Sequence, residues 1–91
     1  MCRNIRILYN FEPPTTPEEV RDAALQYVRK VSGMQRPSQA NAAAFERAVE
    51  AVADVTAQML GELVTASPPR DRDVEAERRR ARSAARFGRA A

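Results

Sequence analysis

Thr16–Gly33, TPEEVRDAALQYVRKVSG, is the stretch that decides the fold. Thr16 can cap the first amides of a helix, Pro17 suits the first helical position, and Glu19 stands at the reciprocal position of a capping box. Val20, Ala24, Tyr27, Val28 and Val31 recur on one face, with Ala23 beside them. Arg21, Asp22, Gln26, Arg29 and Lys30 fall mostly outside it. Arg29 and Lys30 complement the dipole of the last turn, and Gly33 supplies a residue able to terminate the helix in the left-handed conformation. The pattern predicts a helix over 17–32.

Downstream, Ser38 is a reasonable cap for a second helix over about 39–65. Its apolar stripe is Phe45, Val49, Val52, Thr56, Met59 and Leu63, at alternating steps of four and three. Ala48, Val55 and Leu60 widen it. That average spacing is the seam of a helical hairpin or short coiled coil. Gly61 costs up to about 1 kcal/mol relative to alanine, so the helix frays there or a neighbour comes close. Ser67–Pro69 ends the helix. From Asp73, acids come first and arginines later, as the dipole of a third helix prefers. Its stripe is thin, so this helix is expected to be exposed or ordered against a partner.

Upstream, Ile5, Ile7 and Tyr9 alternate with the period of a strand, interrupted by Leu8. Asn10–Pro14 should stop regular structure, because Pro13 and Pro14 lack amide donors. Phe11 reads as a plug for the helical core. The expected architecture is all-α: a helical hairpin, an extended N-terminal segment packed on it, and a third, arginine-rich C-terminal helix. The expected division is a core domain over 1–69 and a basic helical tail over 70–91. The helix order is also compatible with a histone-like intertwined dimer.

Composition narrows the function. The chain has 91 residues, one cysteine, no histidine and no tryptophan. It therefore forms no internal disulfide, and its thin core favours a partner subunit. No stretch reads as a signal peptide or membrane span, so a cytoplasmic protein without membrane contact is expected. Residues 1–69 hold seven basic and eight acidic side chains, a net of −1. Residues 70–91 hold eight arginines and four acids, a net of +4.

Three groups of residues carry chemistry. Cys2 follows a methionine that is normally removed before so small a residue, and Arg3 and Arg6 can lower the pKa of its thiol. A redox or soft-metal role follows from that reading; a plain thiol at a loose end is the alternative. Two ligands do not complete a zinc site, so the metal is unknown, and a Cys/His hydrolase is excluded for the isolated chain. The cluster Arg78, Arg79, Arg80, Arg82 and Arg86, continued by Arg89, reads as a docking strip for an acidic protein or a nucleic-acid backbone. The alternative is a solvated helix whose arginines pair with Glu75 and Glu77. Arg36 and Ser38 flank the start of the second helix and could receive an anion, where the plainer reading is a capped turn. No cofactor motif is legible. The leading expectation is a non-enzymatic, self-associating interaction protein whose basic helix docks on an acidic partner.

The segments MCRNIR and LYNFEPP (1–6, 8–14), AALQYVRKVSG (23–33), RPSQANAAAFERAV (36–49) and SAARF (83–87) together resemble a family of short bacterial proteins classed as a domain of unknown function. The resemblance spans nearly the whole chain. It implies a prokaryotic, cytoplasmic setting and lends no activity, cofactor or functional residue.

Overall fold

The computed structural model describes residues 5–88, with side chains as far as Ala85 in the last helix. Along the chain come β1 (Phe11–Glu12), α1 (Pro17–Ser32), a 3-10 turn (Gln39–Asn41), α2 (Ala42–Glu62), β2 (Arg70–Asp71) and α3 (Arg72–Gly88). The protein is all-α in class, with one parallel ladder of two residues per strand.

Helix α1 begins and ends on its local signals. Glu19 N donates to Thr16 Oγ1 at 3.2 Å, and Thr16 N donates back to Glu19 Oε1 at 2.9 Å, which completes the capping box. Gly33 takes φ 73° and donates its amide to the Arg29 carbonyl at 2.9 Å. Helix α2 departs from expectation at both ends. Its first turn is 3-10, with no side-chain cap from Ser38, whose carbonyl instead accepts the Asn41 amide at 3.0 Å. It stops at Glu62 rather than near 65, one residue past Gly61, and nothing lies within 4 Å of where a Gly61 Cβ would stand. The cost of glycine at that site is thus met by ending the helix.

Helices α1 and α2 pack antiparallel. Val28, near the end of α1, shares a cluster with Phe45 at the start of α2, while Pro17 and Val20 lie beside Ala57 and Leu60. The core is small: Val20, Ala24, Val28, Phe45 and Val49, with Val49 the most enclosed. Leu25, Met34, Ala48, Val52 and Ala53 pack against it. Other members of the two stripes remain in solvent, with Tyr27 48 %, Val31 68 % and Met59 49 % exposed. On the outer flank Arg21 spans the hairpin to Glu46 (3.1 Å) and Glu50.

The N-terminal segment is laid on the hairpin but not as a strand. Residues 5–10 form no ladder; pairing begins at Phe11, where the prolines were expected to forbid it. Leu8, which breaks the alternation, lines the grooves between α1 and α2, whereas Ile7 is 62 % exposed. A period of two requires the odd residues to face one way, and half-burying Leu8 while exposing Ile7 breaks that requirement.

Candidate functional site

Two proline-rich stretches far apart in sequence, Asn10–Pro14 and Ser67–Arg72, meet at one end of the hairpin. Asn10, at φ 64°, occupies the left-handed region that asparagine tolerates. Its Nδ2 donates to the carbonyls of Ser67 (3.4 Å) and Pro68 (3.1 Å), and its carbonyl accepts the Arg70 amide at 2.6 Å. The ladder then pairs Phe11 with Arg70 and Glu12 with Asp71. Proline can flank this ladder because both strands are edges that need few donors.

Arg72 closes the junction. Its Nε donates to the Pro13 carbonyl (2.7 Å) and its Nη2 to the Pro14 carbonyl (2.9 Å). Its Nη1 and Nη2 reach Glu19 Oε2 (2.9 Å) and Oε1 (2.7 Å), a two-pronged pair. The guanidinium carbon stands 5.7 Å from the centre of the Phe11 ring. Phe11 is thus half-covered beneath Arg72 instead of plugging the helical core. The Arg72 hydrogen bonds, joined by the Thr16 amide, draw the Glu19 carboxyl down from an ordinary 4.5 to about 2. Arg72 itself is held more firmly protonated by the same bonds to Glu19. One carboxylate therefore caps α1 and anchors α3. Asp71 adds a second anchor by accepting the Val74 amide at 3.0 Å.

Beyond this junction α3 makes few contacts with α1 or α2. Arg78 and Arg82 are exposed, Arg79 is half-buried, and Arg86 follows in the same file by helical register. Arg80 falls on another side. Arg78 pairs with Glu75 at 3.2 Å. Arg36 is exposed, and Ser38 Oγ accepts a hydrogen bond from Asn41 Nδ2 at 2.9 Å. Cys2 and Arg3 lie outside the described residues, as does Arg89. Arg6 is exposed and borders a depression with Glu18, Glu19 and Asp22 at the start of α1.

Two apolar clefts flank Leu8. One of about 460 Å³ runs under Tyr9, Phe11 and Pro14 toward Val20, Ala57 and Leu60. The other, of about 280 Å³, lies between Ile5, Ala23, Tyr27, Val52 and Met59. Among the described residues no cluster of three or more metal-ligating side chains occurs, and no helix is long and apolar enough to cross a membrane. The sequence reading did not single out Asn10 or Arg72. The signal available for them was the repetition of a Pro-Pro stop on both sides of the hairpin, Pro13–Pro14 and Pro68–Pro69.

Residues 1–78 match the model of a family described as "Uncharacterized conserved protein (DUF2277)". The chain belongs to that family. The matched span contains the whole junction, from Asn10 through Glu19 to Arg72, and ends at Arg78. Most of the arginine row, with the SAARF segment, lies past it. No curated protein and no solved structure matches the chain.

Proposed function

We propose that this chain is an interaction protein, not an enzyme: a self-associating helical unit that presents the arginine row of α3 to an acidic protein partner. One observation carries the reading. Helix α3 is fixed at its first residues by Arg70, Asp71 and Arg72, and then leaves the hairpin with Arg78, Arg79 and Arg82 along one side and Arg86 at the next position of that register. A helix held at one end keeps its charges in a defined direction, with Arg78 and Arg82 exposed. Steps of four residues separate Arg78, Arg82 and Arg86 by about 6 Å each, a spacing that several carboxylates on a partner helix can match. A cytoplasmic setting suits a chain with a single cysteine.

The same single file favours a second reading, contact with a nucleic-acid backbone, whose affinity would come from counterion release. One experiment separates the two. The full-length protein and a variant carrying Arg78→Gln, Arg79→Gln, Arg82→Gln and Arg86→Gln are titrated against polyglutamate and against a DNA duplex at about 50 mM salt, where phosphate contacts are strong. Capture of polyglutamate by the parent alone, at equal helicity, is expected. Capture of the duplex instead, falling steeply with salt, replaces the protein partner with a nucleic acid. Binding to neither removes the docking role of α3.

A further inference from the structure

The elements of this chain fall into two groups. Helices α1 and α2 pack on each other with the 3-10 turn, while β1, β2 and α3 follow one another in contact, with little contact between the two groups. The buried side chains Val20, Ala24, Val28, Phe45 and Val49 all belong to the hairpin. Within 5–14 and 63–85 no residue is buried. The second group is therefore held by polar contacts and half-covered side chains, and such regions open locally at a lower free energy than a core.

Those polar contacts tie the N-terminal arm and the start of α3 mainly to each other. Asn10 holds Ser67, Pro68 and Arg70, the ladder pairs Phe11–Glu12 with Arg70–Asp71, and Arg72 takes up the Pro13 and Pro14 carbonyls. On α1 the same corner has one charged hold, Arg72 on Glu19. The arm's own hold is Leu8, half-buried between the helices, whose carbonyl accepts the Thr15 hydroxyl. A ladder of two residues per strand is too short to stand alone, so neither half keeps its place once the other has left. The stretch 63–69, exposed and without helix or strand, is a tether on which the corner can swing.

We infer that residues 8–14 and the β2–α3 corner form a single strap, which comes off the hairpin as one unit when Arg72 leaves Glu19 and uncovers the apolar groove beneath it. The floor of that groove is Val20, Ala57 and Leu60, and Leu8, Phe11 and Pro14 of the arm stand over it around a cleft of about 460 Å³. Because the space under the arm is not filled, lifting it forfeits little packing. The open form keeps the α1–α2 core and turns Val20, 6 % exposed while the strap is seated, toward water.

The test uses the full-length chain with Cys2→Ser and one reporter thiol at a time. Leu8→Cys reports the arm; Leu60→Cys, on the hairpin side of the cleft, reports the groove and leaves the arm unaltered. Amide exchange at Arg70 reports the corner and exchange at Val49 the core. In the parent, Arg70 should exchange faster than Val49 once corrected for intrinsic rates, with a shallower dependence on urea, because lifting the strap exposes less surface than unfolding the hairpin. Two variants then loosen opposite halves: Arg72→Gln removes the fork from α3, and Asn10→Gly removes the side-chain donors from the arm while tolerating its φ of 64°. Each should raise labelling at both thiols at least about three-fold, together with Arg70 exchange, at unchanged helicity. Faster Arg70 exchange in Arg72→Gln with both thiols unaffected means that α3 leaves alone, which overturns the single strap. Faster labelling at Leu8→Cys but not at Leu60→Cys overturns the uncovering of the groove. Equal protection and equal urea dependence at Arg70 and Val49 mean that only whole unfolding frees the corner, and the strap is overturned.

Discussion

Arg72 and Glu19 are 53 positions apart and form a two-pronged ion pair at 2.9 and 2.7 Å. The same arginine takes up two proline carbonyls that have no strand neighbour to donate to them. A lysine has one ammonium and cannot reproduce this planar fork. Arg72→Lys is therefore expected to leave the helicity of the hairpin unchanged while freeing the start of α3. Amide exchange at Arg70, whose N–H bonds the Asn10 carbonyl, should accelerate about ten-fold or more as local opening becomes easier. Arg70→Lys, which alters only an exposed side chain, should not change that rate.

The depressed Glu19 carboxyl makes the latch dependent on pH. Folding lowers its affinity for protons, so its contribution is complete above about 4.5 and drains away as pH falls toward about 2. Urea midpoints measured across that window should decline for the parent protein. In Glu19→Gln the midpoint should start lower at neutral pH and lose this part of the acid decline. Arg72 and Glu19 keep 31 % and 36 % of their side-chain surface in water, so about 1 M salt should narrow the difference between the two proteins.

Two glycines should respond to alanine in opposite directions. Gly33 sits at φ 73° with open space around it, so Gly33→Ala meets no clash and costs only the left-handed backbone penalty, about 1 kcal/mol. Gly61 lies inside the last turn of α2, also in open space, and Gly61→Ala should stabilise by about 0.5–1 kcal/mol. Thermal melts of the two variants decide the matter by sign alone.

The thin core makes single truncations costly. Phe45 is 7 % exposed and supplies the only aromatic ring among the buried residues that the structure describes. Phe45→Ala should cost about 3 kcal/mol or more, enough to unfold much of a chain this short. Val64→Ala, at a residue 93 % exposed, should stay within about 0.5 kcal/mol of the parent. Denaturant titrations of both variants provide the comparison.

The legible parts of this fold are those whose causes are local. Thr16, Pro17, Glu19 and Gly33 fix α1 through neighbours no more than four residues away, and the structure realises each of those contacts. The apolar steps of α1 and α2 likewise identify Ala24, Val28, Phe45 and Val49 as core. What was not legible depends on distant residues. The alternation of Ile5, Ile7 and Tyr9 imitates a strand, but a strand needs a neighbour, and the paired segment turns out to be Phe11–Glu12 against Arg70–Asp71. Arg72 carries no local mark that separates it from Arg70; only its reach to Pro13, Pro14 and Glu19 does. The arginine row of α3 was visible as composition, whereas its attachment was not.

The pairing of Asn10–Glu12 with Arg70–Asp71 also sets an order of events. The hairpin holds all its own partners once α2 has been made, and its short-range contacts form early. The latch joins segments about sixty positions apart and must wait for the chain to emerge beyond Arg72, so its loop is closed last. Until then Thr16 and Glu19 already start α1, with the second role of Glu19 unfilled. A chain cut within the 63–69 linker would therefore carry the hairpin with an N-terminal arm that has no second strand, and that arm would be open to a protease or to the wrong neighbour.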